Sequence, residues 1–409
     1  MTCHVKNDIL CTEKVELNSC TMVKYLVVYE VGRVGTFEIT KESTDLHIVS
    51  VEPFLTAYGR FEDDLESKDL VINTSEGDIC IQVGKSLYSV LTLPVGNGSK
   101  TITVIAGLII IHEDAFFQEK IHLDFEKHFT IGHRGMGSNL VSKEYQENTM
   151  AGFKCAYEKN VDFIEFDVQL SSERIPVIHH DFYISYKDKK DFLNEPINEN
   201  KDGGYNYSIN QFNLEQFVNS KLHLEWNQKL PTFKELMTEL PKDLKFDVEI
   251  KYPYQAAFNG IVPYEERNSF IDRVLEEMEK CNENRKLFFS TFDFICAAML
   301  CLKQKRWPVL QLMTMEAGEN IKKFKERILG ISQIWKEIGI KGFVLDSTML
   351  LQIPDVAIKL REMGFVVATY GSPNNDSDKI KKQFDIGVQG IATDKLSLLQ
   401  KTINEYEEK

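Results

Sequence analysis

The sequence predicts an α/β protein: a TIM-type (β/α)8 barrel preceded by an antiparallel β-sandwich-like domain. Three observations carry this expectation. From about Lys24 to Asp124 the chain shows period-two strand patterns and no helical one. After Phe125 short apolar runs alternate with helical patterns. This alternating part is about 280 residues long, which fits β-α units closed into a barrel better than an open doubly wound sheet, the competing architecture.

Residues 1–23 are expected to form an N-terminal tail and 24–125 a β-rich domain whose role the sequence does not show. "KYLVVYEV", "GTFEIT", "LHIVSVEPFL", "DICIQVG", "YSVLTLPVG" and "TITVIAGLIII" are rich in Val, Ile, Thr and Tyr, with Gly35, Gly77, Gly84 and "VGNGS" as punctuation. Residues 126–409 hold the barrel pattern. Its strands are expected at Phe129–His133, Val161–Leu170, Ile175–His180, Leu244–Lys251, Lys286–Thr291, Trp307–Met313, Gly342–Asp346, Phe365–Tyr370 and Val388–Thr393. Their short apolar runs lack strict alternation, as expected where helices cover both faces of a parallel sheet. Helical patterns lie at Met150–Lys159, Phe233–Glu239, Glu265–Cys281, Phe294–Lys305, Asn320–Ile338, Pro354–Met363 and Asp376–Phe384. An element-poor polar excursion at about 185–229 is expected to cross the C-terminal mouth of the barrel.

The chain is 409 residues long, 43% hydrophobic and 27% charged, a profile of globular proteins. Its formal net charge of -14, with no basic stretch long enough to follow a phosphate backbone, argues against nucleic acid as a partner. Lys322, Lys323 and Lys325 fit a solvated helix face instead. The most apolar run, Val104–Ile111, is far shorter than the ~20 residues of a transmembrane helix. The N-terminus lacks a basic stretch followed by an apolar core, so no secretory signal is expected. Eight scattered cysteines without a Cys-x-x-Cys pair then point to reduced thiols and a cytoplasmic location.

Polar residues concentrate at the expected C-terminal strand ends, where barrel active sites collect. They are His133 and Arg134, Glu165 and Asp167, His180 and Asp181, Glu249 and Lys251, Asp293, Asp346, Tyr370 and Asp394. Leu170 and Ile175 are too close in sequence for a parallel crossover, so they must belong to a hairpin. A loop over Ser171–Arg174 would set Glu165 opposite His180, and period-two alternation puts Glu165 and Asp167 on one face. Glu249 also falls on a strand expected to be buried. Three converging carboxylates need a cation, and an all-oxygen donor set suits Mg²⁺ or Ca²⁺ better than zinc. His133 and His180 would serve as an acid and a base, with His179 as the competing assignment for the second. Arg134 offers a fork to two phosphate oxygens and Lys251 a point charge. Such a set describes phosphoester hydrolysis. "QENTMAGF" reads as a helix start with Asn148 or Thr149 as N-cap; Glu147, just ahead of it, either holds Arg134 or is a plain N-terminal charge.

The motifs "GHRG", "ENT", "EFDVQLSSERIPVIHHD", "LPTFKELM", "DVEIKYP", "FFSTFD" and "GIATD", in this order, resemble the glycerophosphodiester phosphodiesterase family from Phe129 to the C-terminus. The resemblance implies a TIM barrel, metal ligands at Glu165, Asp167 and Glu249, and catalytic histidines at His133 and His180. It places basic phosphate contacts at Arg134 and Lys251. "VEPFLTAYGRFEDD" and "FFSTFDFICAAMLCLKQKRWPVLQLMT" look like the cytosolic glycerophosphocholine phosphodiesterase branch. The expected substrate is therefore a small glycerophosphodiester, above all glycerophosphocholine, cleaved to sn-glycerol 3-phosphate and choline. Alternatives are lysophospholipase-D-type action on lysophospholipids, for which Phe192, Tyr205, Tyr207 and Phe212 would supply apolar surface, and a catalytically silent regulatory or scaffold protein. That branch usually carries an N-terminal starch-binding module. About 20 residues before the first β pattern, and no tryptophan before Trp226, argue against a complete one, so a short isoform, a divergent relative or a truncated chain is expected. Where the family often has Trp-Thr-x-Asn this chain has "ATYGSPNND", so Tyr370 is expected to take over the aromatic wall.

Overall fold

Strand Phe163–Leu170 shows how the sequence builds the barrel. All eight of its residues are buried. Ile164, Phe166 and Val168 point outward, and Phe166 meets Phe153 and Phe233 of the surrounding helices at ring distances of 6.0 and 6.2 Å. Phe163 points inward onto Phe129 and Phe288, at 5.4 and 5.1 Å. Glu165 and Asp167 share that inward face one and two steps further up. The strand is therefore apolar outside, apolar at the bottom inside, and acidic at the top inside.

The computed structural model describes the strand segments His4–Lys6, Met22–Val31, Leu46–Val51, Phe54–Phe61, Asp69–Thr74, Gly77–Gln82, Tyr88–Val95 and Lys100–His112. It then describes residues 120–142, 144–190, 196–199, 201, 203–220, 230–252, 267–281, 284–316 and 318–408. Two compact units result. One comprises Met1–Phe116, Cys301–Gln304 and Glu316–Gly339, and the other Phe117–Leu300, Lys305–Met315 and Ile340–Lys409.

In the first unit the strand pairings among the described residues are all antiparallel. Five strands form one sheet in the order Leu46–Val51, Phe54–Phe61, Met22–Val31, Lys100–His112, Tyr88–Val95. Three form another: His4–Lys6, Asp69–Thr74, Gly77–Gln82. His4–Lys6 lies within the stretch expected to be a tail. The expected strand "GTFEIT" lies outside the described residues.

The barrel strands are β1 (Phe129–Gly132), β2 (Phe163–Leu170), β3 (Lys245–Ile250), β4 (Leu287–Thr291), β5 (Val309–Met313), β6 (Gly342–Asp346), β7 (Val366–Tyr370) and β8 (Gly390–Thr393). Each pairs in parallel with the next, and β8 pairs with β1, which closes the ring. The helices that alternate with them in chain order are α1 (Met150–Glu158), α2 (Phe233–Glu239), α3 (Arg267–Lys280) and α4 (Phe294–Lys303), followed by α5 (Ile321–Ile338), α6 (Asp355–Glu362), α7 (Ser377–Asp385) and α8 (Leu396–Glu407). The last was not marked by the sequence pattern. Thr149 caps α1 by accepting from the Gly152 amide, and Thr232 with Glu235 forms a reciprocal capping box on α2. Phe125, Phe129, Phe163, Phe288, Leu310, Val344 and Ala368 fill the interior below the acidic layer. Each large side chain buried there stabilises the barrel by about 1.5–3 kcal/mol.

Two expectations are corrected. Antiparallel Pro176–Ile178 pairs Leu170 with Pro176 and Val168 with Ile178, so the connecting turn spans 171–175 and the register differs by one residue. Glu165 is not opposite His180. Ile175 O accepts from the Ser171 amide and Arg174 takes a left-handed φ of 60°, which adds the extra turn residue. The 185–229 excursion is also not element-poor. Tyr183–Tyr186, Asn198–Glu199 and Tyr205–Ser208 form a three-stranded antiparallel sheet, followed by a short helix at Leu214–Val218. It has its own core of Ile184, Tyr186, Tyr207, Ile209, Phe212 and Phe217. Tyr207 and Phe212 are buried there and offer no lipid-facing surface, Tyr205 is half-buried against them, and Phe192 lies outside the described residues.

Candidate active site

Strand register builds the acidic layer. β2 and β3 run in parallel with Glu165 beside Asp247 and Asp167 beside Glu249, so alternation sends all four carboxyls to the interior face, at two successive levels. Oxygens of Glu165, Asp167 and Glu249 all lie within 4.8 Å of one another, and all three residues are buried. β1 is too short to cover the upper half of β2. It pairs only with Phe163 and Ile164, and Pro176–Ile178 takes over the edge above, which frees the chain after Gly132 to fold across the acidic layer.

That chain is "HRGMG". Its Arg134 backbone amide donates to Glu165 Oε2 at 2.6 Å from a left-handed conformation (φ 49°). Arg134 Nη1 donates to Glu147 Oε1 at 3.0 Å, and Nε lies 3.7 Å from Asp167 Oδ2. Gly137 is required by its φ of 105° and by its approach to Asp394, where a Cβ would sit 2.9 Å from the Asp394 Cβ. Asn148 is not the helix cap; its Nδ2 donates to Asp167 Oδ2 at 2.8 Å. Lys251, just past β3, has its Nζ 3.1 Å from Glu249 Oε1 and 3.7 Å from Asp167 Oδ1.

The three carboxylates outnumber the two cations beside them, and the electrostatics reflect this. Burial pushes Glu165 well above the usual carboxyl range, and the charges of Asp167, Glu249 and Asp247 push it further, against Arg134. Burial acts the same way on Asp167, but the charges of His180, Lys251 and Arg134 and the Asn148 hydrogen bond outweigh it and keep this carboxyl ionised. Burial likewise raises Asp247, opposed by a 2.6 Å hydrogen bond from Ser290. Glu165 Oε1 and Asp167 Oδ1 are buried with no hydrogen-bond donor among the described residues. Unsatisfied buried oxygens at the point where three carboxylates converge fit a hard divalent cation.

The two histidines stand at the rim. His133 Nδ1 lies 2.8 Å from Asp394 Oδ1 and His180 Nδ1 lies 2.7 Å from Asp181 Oδ1. His180 follows the end of the Pro176–Ile178 strand, so strand alternation does not dictate its direction. Instead Gln169 Nε2 donates to the carbonyls of His179 and Asp181, at 2.8 and 2.7 Å, and fixes this bend. Despite the shifted register, a protonated His180 joins Lys251 and Arg134 among the charges that hold Asp167 ionised. His179, the competing histidine, is half-buried with its ring 6.3 Å from Phe217. Tyr370 ends β7 with its ring edge-on to Phe292 at 5.7 Å. Burial raises its hydroxyl above the usual phenol range, and the charges of Asp346 and Glu249 add to this.

The sequence model of the glycerophosphoryl diester phosphodiesterase family matches residues 133–398, from the first rim histidine into the last helix. The chain belongs to that family. Among relatives, the glycerophosphocholine phosphodiesterase GPCPD1 of Homo sapiens is 26% identical over 398 residues, covering 86% of this chain and 59% of that protein. The glycerophosphocholine phosphodiesterase gde1 of Schizosaccharomyces pombe is 26% identical over 326 residues, covering 68% of this chain and 28% of that protein. The chain thus spans less than two thirds of the length of these relatives. A solved glycerophosphodiester phosphodiesterase of Parabacteroides distasonis has the same barrel fold, with a TM-score of 0.51 at 16% identity over 69% of this chain and 99% of that one.

Within this family fold the structure brings His133, Arg134, Glu147, Asn148, Glu165, Asp167, His180, Glu249 and Lys251 to one end of the barrel, with Tyr370 opposite. Sequence reading missed Gln169, Asn375 and the partnership of Asp394 with His133. Asp394 was visible as a polar strand end in "GIATD", but its partner lies across the closing seam of the barrel. Asp293, also a polar strand end, is turned away from the site: it caps α4 at the Cys296 amide and binds Arg267 at 2.6 Å.

Proposed function

We propose that the chain hydrolyses small glycerophosphodiesters with the help of a divalent cation, glycerophosphocholine foremost, giving sn-glycerol 3-phosphate and choline. The observation that carries this is the buried Glu165, Asp167 and Glu249 cluster, flanked by two cations and two histidines. The chemistry of its human and fission-yeast relatives' names points the same way. Glu165, Asp167 and Glu249 would hold Mg²⁺ or Ca²⁺; when bound, such an ion supplies Lewis-acid polarisation of the phosphoryl group. Arg134 and Lys251 orient the phosphate, the former braced by Glu147 and the latter by Glu249. Asn148 keeps Asp167 in place. One histidine takes a proton from the attacking water as its oxygen bonds to phosphorus, and the other gives a proton to the leaving choline oxygen as that P–O bond breaks, which leaves sn-glycerol 3-phosphate and choline. Tyr370 lines the alcohol side.

The further parts of this reading are a β-sandwich-like arrangement of the first unit, supported by its two antiparallel sheets, and a division near residue 125 between β-rich domain and hydrolase barrel, for which the change of strand pattern at Phe125 is the support. A cytoplasmic location is supported by the scattered spacing of the eight cysteines, which includes no Cys-x-x-Cys pair. No helix among the described residues is long and apolar enough to cross a membrane. The lysophospholipid reading rests on one observation: Leu140 is 88% exposed beside half-exposed Val141, in the loop that also holds Glu147. A panel of glycerophosphocholine, glycerophosphoethanolamine and lysophosphatidylcholine, assayed with Mg²⁺ or Ca²⁺ for glycerophosphate and free alcohol, tests the proposal. Cleavage of the lysolipid alone would replace the substrate, and cleavage of none would overturn the activity.

A further inference from the structure

The two rim histidines have different carboxylate partners. Asp181 is the next residue to His180 in the chain, and its side chain is largely exposed. Asp394 comes from the opposite end of the barrel sequence, and its side chain is mostly buried. The closing register explains how it reaches His133. Gly132 pairs with Thr393 across the β1–β8 seam, and the His133 amide donates to Thr393 O, so the next residues of both strands emerge side by side.

Asp394 is held from three sides. Oδ1 accepts from the Ser138 amide at 2.8 Å, besides facing His133 Nδ1, and Oδ2 accepts from Asn375 Nδ2 at 3.0 Å. The Asn375 amide has only one workable orientation. Its Oδ1 accepts from the Asp394 backbone amide at 3.0 Å, which must donate, so its Nδ2 faces the carboxylate. The Ser138 amide reaches Asp394 because Gly137 lets the backbone come close. Burial opposes ionisation of Asp394, but the bonds from His133, Ser138 and Asn375 outweigh it and keep the carboxyl well below the usual range. An ionised carboxylate can only accept, so the proton between the two side chains sits on His133 Nδ1.

We infer that Asp394, clamped by Asn375, is the positioning residue that fixes the tautomer and ring orientation of His133. Nε2 is then the ring nitrogen left to exchange a proton with the reacting groups, the logic by which a buried carboxylate orients a working imidazole. The inference rests on the proposed role of His133 in hydrolysis, but the tautomer can be read without any activity.

The test uses the full chain, with nitrogen-15 histidine spectra and steady-state kinetics on glycerophosphocholine. In the unaltered protein His133 should show the Nδ1–H form, assigned through His133→Ala. Asp394→Ala should convert it to the Nε2–H form that free histidine favours. Its kcat should fall roughly 10²-fold, with KM changed less than about threefold. Asn375→Ala should give the same split at about 10-fold, which keeps the inference testable if Asp394→Ala does not fold. In the double variant His133→Ala with Asp394→Ala, kcat should equal that of His133→Ala within about twofold. An unchanged tautomer, or losses that multiply in the double variant, would overturn the inference. A protein with the Nδ1–H tautomer but no hydrolysis would instead count against the proposed function alone.

Discussion

Neutralising Glu165 separates a metal site from an ordinary buried ion cluster. Glu165 Oε2 accepts one hydrogen bond, from the Arg134 amide, and Oε1 has no donor among the described residues. Asp167 and Glu249 oxygens are within 4.8 Å, where two ionised carboxylates repel by about 3 kcal/mol at an effective dielectric of ~20. Without a cation Glu165 escapes that repulsion only by taking up a proton, whereas a glutamine keeps the acceptor for Arg134 and avoids that cost. Glu165→Gln in chelator should therefore be as stable as the unaltered protein, or up to ~2 kcal/mol more stable, contrary to the usual cost of changing a buried polar residue. With a divalent ion at ~100 times its Kd, the unaltered protein should gain about 2.7 kcal/mol. At roughly 2 °C per kcal/mol for a unit of this size, its Tm should rise by about 5 °C. The glutamine variant, lacking one charged ligand, should rise by less than ~2 °C. Thermal unfolding followed by circular dichroism, in chelator and in millimolar Mg²⁺ or Ca²⁺, measures both. An unaltered protein indifferent to divalent ions, or a glutamine variant that melts more than ~5 °C lower in chelator, would refute the reasoning.

Other expectations concern the same end of the barrel. His133→Ala and His180→Ala should each lower kcat by roughly 10²–10⁴ if they transfer protons; a near-unaltered rate would remove that residue from the mechanism. Glu249→Gln should weaken metal affinity by about 10- to 100-fold, and excess ion should partly restore the rate in a metal titration. Gln169→Leu should lower kcat about 10-fold with little change in KM, because the His179–Asp181 bend loses its anchor; unaltered kinetics would assign Gln169 to packing alone. Glu165 and Asp247 have folded values raised above the unfolded ones, so the folded metal-free protein holds more protons than the unfolded chain. Its stability should fall as pH rises from about 4 through these raised values, and metal binding should release protons, measurable by titration calorimetry in two buffers.

The barrel was legible because each strand carries its own signature. Strand β2 reads as buried on both faces from "FIEFDVQL", and its alternation alone puts Glu165 and Asp167 together. Gly342–Asp346 and Phe233–Glu239 were legible to the residue because glycine or a capping threonine marks their starts. The hairpin register was not, since one left-handed residue, Arg174, lengthens the turn and nothing local announces it. His180 keeps its place near Asp167 only because the strand ends at Ile178 and Gln169 sets the bend that follows. The excursion looked element-poor because its strands are two to four residues long and polar on one side, as in Tyr205–Ser208. Its buried aromatics, read along the chain, resemble an exposed lipid-facing set. The partnership of Asp394 with His133 was not legible for a different reason. It lies in a seam between the first and last strands, and period and spacing within one segment carry no information about partners 261 residues away.

The most direct test of metal-dependent glycerophosphodiester hydrolysis is phosphorus-31 NMR of glycerophosphocholine incubated with the purified chain, with Mg²⁺ or Ca²⁺ and then with chelator. The diester resonance should give way to that of sn-glycerol 3-phosphate when the ion is present and stay constant when it is removed. A diester that persists with either ion, or one that is consumed equally fast in chelator, would contradict the account.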